Sequence, residues 1–321
     1  MKRHLLTVTA VSAVLALAAC SSASSDGGDD RASDGTLVVG VVPSANVAPI
    51  YLGVEKGFFE ERGITLDLQP AQGFAANVAS VSNGETDIGF GTTVPIVGAI
   101  ANGVPIKLIA HSDVLGDGEG EDNSGLFVPP GSNIEGLADL EGKTVAVNAL
   151  ANVFDVGLKA AMIEEGADPN SVEFLEVALP DMVAALDTKR VDAAAMGEPF
   201  VTLSGNAGNT ELFKPFTTGF DVGAPIASYF VSDEWADENG DLLEDFVAAL
   251  EESSEYAAEN PDEARAMMET YTEIPPEVLE QVALGKYESS VDLDMLQHVV
   301  DLMVLTETIP ESVPADSLVI E

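Results

Sequence analysis

The chain is poor in cysteine, in basic side chains and in histidine, and each shortage removes a class of chemistry. Its one cysteine stands at position 20 of 321 residues. The remainder therefore offers no disulfide, thiolate metal site or cysteine nucleophile. Lysine and arginine number 13 against 55 acidic residues, a formal net charge of −42. Such a surface repels nucleic acid and anionic lipid headgroups, and it suits variable or high salt, where screening relieves self-repulsion. Beyond the N-terminus the histidines are His111 and His298. Neither has a Cys or Ser in nucleophile context, and no metal-spaced cluster accompanies them. His111 reads as a satisfied buried or rim histidine and His298 as structural, so neither catalysis nor a cofactor is expected. After Leu17 no apolar run is long enough to cross a membrane.

The chain begins with a basic head, Lys2-Arg3-His4, and an apolar run from Leu5 to Leu17. The run is too short to span a bilayer comfortably, and residues 1–19 read as a signal peptide. Leu17-Ala18-Ala19-Cys20 resembles a bacterial lipobox, which implies an acylated Cys20 at the mature N-terminus. Two or three acyl chains anchor firmly, at about 0.8 kcal/mol per buried methylene. Residues 20–35 are rich in Ser, Gly and Asp and read as a disordered tether. The folded part is then extracytoplasmic, held at the cell membrane through Cys20. The chain beyond Asp34 is long enough for one large domain or two lobes, and two lobes is the expectation.

Two βα series can be read along it. The first takes strands at Leu37–Val42, Ile64–Leu68, Asp87–Phe90 and Ile106–His111. Its helices are at Pro49–Lys56, Phe74–Ser82 and Val94–Ala101, with Gly57, Asn83-Gly84 and Asn102-Gly103 as stop signals. The second takes strands at Leu126–Val128, Thr144–Val147, Val172–Val177 and Asp192–Ala195, with helices at Val153–Glu165 and Pro180–Thr188. Strands alternating with short helices predict parallel, doubly wound sheets, one plan used twice. Pro225–Val231 reads as one more strand. Helices are expected beyond it at Leu242–Ala258, Pro261–Tyr271, Pro276–Leu284 and Leu293–Leu305, packed back on the first lobe.

Four segments carry a family pattern in order: Ala48-Pro49-Ile50-Tyr51-Leu52-Gly53-Val54-Glu55-Lys56-Gly57-Phe58-Phe59, Gly63-Ile64-Thr65-Leu66-Asp67-Leu68, Gly84-Glu85-Thr86-Asp87-Ile88-Gly89 and Asp139-Leu140-Glu141-Gly142-Lys143-Thr144-Val145-Ala146. Together they resemble the substrate-binding lipoproteins of nitrate/sulfonate/taurine-type ABC importers, a group related to thiamine-pyrimidine-precursor binding proteins. The resemblance covers residues 36–232. It implies an α/β type II periplasmic-binding-protein fold: two doubly wound lobes, a hinge and a helical C-terminal tail. The lobes would be 36–124 with 218–321, and 125–217, with crossovers near Ser124–Phe127 and Phe213–Phe220. It also implies partners: a small-molecule solute, permease and ATPase subunits, and the membrane through the lipid anchor, with the binding protein itself a monomer.

In open α/β sheets, ligands sit beyond the carboxyl ends of strands, where helix N-termini point. In the first series this selects Ser44, Ala45 and Asn46, then Gln72 and Gly73, then Thr92 and Thr93. In the second it selects Asn148, Ala149 and Asn152, then Asp181, then Glu198. Tyr229, on the strand after the second crossover, is added. Ser44, Thr92 and Asn152 also fit ordinary helix caps, Asp181 a plain dipole partner, and Tyr229 the core. Helix N-termini at Thr92-Thr93 and Asn152 suit an oxyanion such as sulfonate, and Asp181 and Glu198 suit an amine or several N–H donors. No Lys or Arg stands in these loops, which disfavours a bare inorganic anion. The solute is expected to be sulfonate- or taurine-like, with a pyrimidine precursor or other small heterocycle as the alternative. An enzyme on the same fold and an anchored ligand sensor are the readings of other classes. The acidic loop with Asp113, Asp117, Glu119, Glu121 and Asp122 lacks the spacing of a calcium loop and is expected to be solvated.

Overall fold

The computed structural model describes residues 35–71, 73–118 and 120–320. The expected signal peptide, Cys20, all of the tether but Gly35, and Gln72 lie outside the described residues. Eleven strands form two sheets among these residues. The first holds β1 (Thr36–Val41), β2 (Thr65–Pro70), β3 (Ile88–Thr92), β4 (Ile106–Val114), β10 (Pro225–Ser232) and β11 (Lys286–Tyr287), in the order β11-β4-β10-β3-β1-β2. The second holds β5 (Ser124–Val128), β6 (Thr144–Val147), β7 (Glu173–Glu176), β8 (Ala193–Gly197) and β9 (Thr210–Phe213), in the order β7-β6-β8-β5-β9.

The sheets share one plan, but they are mixed rather than parallel throughout. β1 runs parallel to β2 and β3, and β6 to β7 and β8. β10 is inserted antiparallel between β3 and β4, and β5 antiparallel between β8 and β9. Each inserted strand comes after a passage between the sheets, at 115–123 before β5 and at 214–224 before β10. Ser124 to Phe127, expected as a crossover, is therefore already strand. Seven of the eight residues of β10 are buried, as a strand covered on both faces must be.

Between the strands lie α1 (Ala48–Lys56), α2 (Phe74–Ser82), α3 (Thr93–Ala101), α4 (Val153–Glu165), α5 (Leu179–Asp187), α6 (Phe200–Asn206) and α7 (Pro215–Gly219). After β10 come α8 (Asp233–Glu238), α9 (Gly240–Glu259), α10 (Pro261–Met267), α11 (Pro276–Leu279) and α12 (Leu293–Leu305). α1 begins with Pro49 in its first turn and stops at Gly57, whose φ of 87° is left-handed, the position at which glycine carries no Cβ penalty. Gly53 lets α9 approach α1: a Cβ there would stand 1.9 Å from Ser253 Oγ. α9 and α10 pack on α1, while α12 packs on α3 and reaches α4. One buried cluster runs from Val94 and Ile106 through Leu296 and Val300 to Leu158 and Phe216, so residues of both sheets share it. No helix among the described residues is long and apolar enough to cross a membrane.

The two passages between the sheets are bound to each other. Asp122 is buried; one carboxylate oxygen accepts the Ser124 N–H at 2.8 Å and the other the Thr217 N–H at 2.9 Å. Lys214 Nζ donates to the carbonyls of Asp122 and Ser124 at 3.1 Å each. A carboxylate satisfied by backbone donors at both ends ties two segments remote in sequence into one joint.

Candidate functional site

The loop after β1 is held by tyrosines from the far end of the chain. Tyr271 donates its hydroxyl to the Ser44 carbonyl at 3.1 Å and Tyr287 to the Ala45 carbonyl at 2.9 Å. Ser112 donates to the Asn46 carbonyl, and Asn46 Nδ2 donates to Asp113 Oδ2 at 2.6 Å. The Tyr51 and Tyr271 rings stack with centroids 4.2 Å apart. Ser44 makes no side-chain cap bond. Gly73 precedes α2 with φ 148°, and Asn77 in that helix donates to the Gly40 and Phe90 carbonyls, fixing α2 against β1 and β3.

The loops after β3 and β6, one from each sheet, meet directly. Thr92 donates its hydroxyl to Asn152 Oδ1 at 2.5 Å, and Asn152 Nδ2 donates to Asn148 Oδ1 at 2.9 Å. Asn152 also caps α4 by accepting from the Val153 N–H at 2.7 Å, while Asp155 closes the capping box by accepting the Asn152 N–H at 2.6 Å. Asn152 is thus both a helix cap and a contact between the sheets. Ala149 is half-buried beside it. The N-termini of α3 and α4 converge on this one contact, bringing two positive dipole ends together.

Thr93 turns the other way. It is fully buried and shares a hydrogen bond with Ser228 Oγ at 2.8 Å, which in turn contacts His111 Nδ1 at 2.8 Å. Burial pushes the His111 imidazole down to about 4, so it is neutral at physiological pH. Glu198 is also buried. Its carboxylate accepts the Thr202 N–H at 3.0 Å and the Thr202 hydroxyl at 2.9 Å, in the first turn of α6, and the Ala283 N–H at 3.2 Å. Desolvation raises this carboxyl, with the donors at Thr202 and Ala283 and the Lys214 charge acting against it. Ala283 lies on the segment that leads into β11, so Glu198 forms a second contact between the sheets. Asp181 is exposed in the first turn of α5 and has no hydrogen bond to the other candidates among the described residues. Tyr229 is fully buried, its ring between Phe90 at 5.2 Å and Phe246 at 6.2 Å. It is a core residue, not a rim platform.

The acidic loop departs from the expectation of a solvated loop. Asp117 is exposed, but Asp113 and Asp122 are 1% and 5% exposed. β4 runs to Val114 rather than stopping at His111, so Asp113 belongs to a strand end inside the protein. It is the residue that sequence reasoning missed, because its neighbours Asp117 and Glu121 disguised a strand end as the start of a charged loop. Among the described residues no group of three His, Cys, Asp or Glu side chains is placed to hold a metal ion. Two surface concavities, of about 430 and 380 Å3, lie apart from the strand-end loops, at α10–α11 and at α4–α7–α12. At the strand ends the loops are instead closed on one another.

Residues 44–264, more than half of the chain, match the family described as NMT1/THI5 like. The chain is 27% identical over 210 residues to the taurine-binding periplasmic protein of Escherichia coli, covering 64% of this chain and 61% of that one. The match therefore spans less than two thirds of that relative. It is 23% identical over 262 residues to the formylaminopyrimidine-binding protein of Halalkalibacterium halodurans, covering 78% of this chain and 74% of the other. Among solved structures, the ligand binding component of an ABC-type import system from Staphylococcus aureus superposes with a TM-score of 0.76 at 14% identity, over 89% of this chain and 96% of that one. That likeness establishes the periplasmic-binding-protein fold. With one sheet plan used twice, joined by paired crossings, and the family match running through both sheets, the chain belongs to the NMT1/THI5-like family.

Proposed function

We propose that the chain is the solute-binding component of an ABC-type importer and carries a small organic solute of the taurine or sulfonate type between two lobes. The lobes are 36–124 with 218–321, and 125–217, and the tied passages between the sheets are their hinge. Cys20 anchors the protein outside the cytoplasm, and permease and ATPase subunits receive the solute from the monomer. The observation that carries the reading is the meeting of strand-end loops from both sheets at Thr92 and Asn152. There the N-termini of α3 and α4 supply backbone N–H groups and positive dipole ends for a sulfonate, without a Lys or Arg. A closing hinge buries such a group and presents the closed form to the importer. The similarity to a formylaminopyrimidine-binding protein supports a second reading, an aminopyrimidine solute in the same place.

The test is a thermal-shift panel on the purified chain with taurine, alkanesulfonates, nitrate and formylaminopyrimidine. A true solute at 100 times its Kd adds about 2.7 kcal/mol of stability, which raises Tm by several degrees. A shift from taurine or an alkanesulfonate is expected. If none of these solutes moves Tm while one is converted to product, the binding-protein reading fails.

A further inference from the structure

Of the carboxylates Glu198, Asp181 and Asp113 at the strand-end loops, Asp113 is the one with a buried oxygen open to a ligand nitrogen. Glu198 already accepts three hydrogen bonds, and Asp181 is exposed and isolated from the other candidates. Asp113 is 1% exposed, Asn46 occupies its Oδ2, and its Oδ1 meets no donor at hydrogen-bond geometry. The Tyr229 hydroxyl lies deeper in the core, and Ser112, whose own proton goes to the Asn46 carbonyl, is placed to accept from it. Asp113 pairs in register with Ala227 on β10 and Tyr287 on β11. Tyr229, two residues beyond Ala227, shares that face of β10. Buried polar atoms are normally satisfied, so an open carboxylate oxygen calls for an explanation. Its position gives one: the C-terminal end of β4, between the Asn46 loop and Asn123 at the sheet-to-sheet passage. A Cβ at Gly285 would stand 3.0 Å from Asn123 Nδ2 and 3.2 Å from Asp113 Oδ2, so this glycine is what lets the chain pass over the carboxyl.

We infer that Asp113 Oδ1 holds a protonated amine of the solute, making this a site for amine-bearing solutes rather than for simple anions. This inference rests on the binding-protein reading above and specifies which solutes it covers. Together with the helix N-termini at Thr92 and Asn152, it describes a zwitterion, an amine at one end and an oxyanion at the other. Desolvation raises the Asp113 carboxyl to about 7, with Asn46, Asn123 and the Ala227 N–H partly offsetting it. The titratable groups facing it are Tyr229 on β10 and Tyr287 on β11, both pushed upward by burial and so protonated at neutral pH. An incoming ammonium therefore pairs with the ionised carboxylate, displacing the proton to solvent only where the carboxyl is protonated, and the pair remains charge-balanced in the closed protein.

The experiment is calorimetric titration of the full chain with taurine and with isethionate, which differ only in an amine against a hydroxyl, for wild type and Asp113→Asn. Wild type is expected to prefer taurine by roughly tenfold or more. Its taurine affinity should fall by up to about tenfold per pH unit below pH 7, while isethionate affinity stays flat. In Asp113→Asn the preference and the pH dependence should both vanish, with isethionate binding retained. The preference is a ratio within one variant, so partial misfolding cannot mimic it, and the wild-type pH profile needs no variant. Equal binding of the two sulfonates by wild type overturns the inference and leaves the binding-protein reading standing. So does a variant that loses both in proportion, which would make Asp113 merely structural. Binding of neither sulfonate also overturns it, and the thermal-shift panel then decides whether the binding-protein reading survives with another solute.

Discussion

Asn152→Ala is expected to weaken taurine binding by roughly fivefold and to lower Tm by several degrees, because the cap of α4 and the contact with Thr92 disappear together, along with the hydrogen bond to Asn148. The first is the cap of α4: Asn152 Oδ1 satisfies the Val153 N–H, and loss of such a cap costs about 1 kcal/mol. The second is the contact with Thr92 across the two sheets, a hydrogen bond of about 1 kcal/mol net. Only the second bears on closure around a solute, and about 1 kcal/mol corresponds to roughly fivefold in affinity. Thr92→Val separates the two effects. It keeps side-chain shape and leaves the α4 cap intact while removing the hydroxyl that Asn152 accepts. Calorimetry and thermal melts on both variants are the check. Thr92→Val should lose affinity with little loss of stability, and Asn152→Ala should lose both. Unchanged taurine affinity in both variants would remove this contact from the site.

Phe246→Ala is expected to cost about 3–5 kcal/mol, the range for removing a fully buried aromatic ring from a core. The ring is wholly inaccessible. It lies 5.6 Å from that of Phe59 and 6.2 Å from that of Tyr229. It thus joins α9 to the segment after α1 and to the inserted strand β10. A helical region merely appended to a finished α/β lobe would lose little from this change, because that lobe's own core would remain closed. Denaturant unfolding decides between the two. A shift of midpoint in one cooperative transition supports a single unit of first sheet and C-terminal helices, and a loss below about 1 kcal/mol contradicts it.

Local structure was legible wherever caps and periodicity agreed. α4 spans Val153–Glu165 as expected, since Asn152 and Gly166 mark both of its ends, and α2, α12 and β6 likewise keep their expected bounds. Where the signals conflicted, the elements changed. The helix expected over 276–284 is only Pro276–Leu279, and that expected to Tyr271 tightens into a 3-10 turn at Met268–Thr270. β9, α6, α7 and α8 went unread, being short and without a clear period. Among the candidate residues, the strand-end rule selected Thr92, Asn148 and Asn152, which the structure joins in one hydrogen-bonded chain. It also selected Asp181, which stands apart, and it passed over Asp113.

By itself the sequence determined that this is a repeated α/β protein with its polar loops at strand ends, because helix caps, glycine stops and apolar periodicity act within a few residues. Only the tertiary structure decided that β10 and β5 run antiparallel inside their sheets, since an apolar run carries no direction until its neighbours are fixed. It alone decided which of many acidic residues is buried. Asp113 and Asp117 are four positions apart and indistinguishable in composition. One is enclosed by β10, β11 and the Asn46 loop, and the other is left in water. Burial, and with it the protonation and binding chemistry of a carboxyl, depends on contacts made by residues far away along the chain.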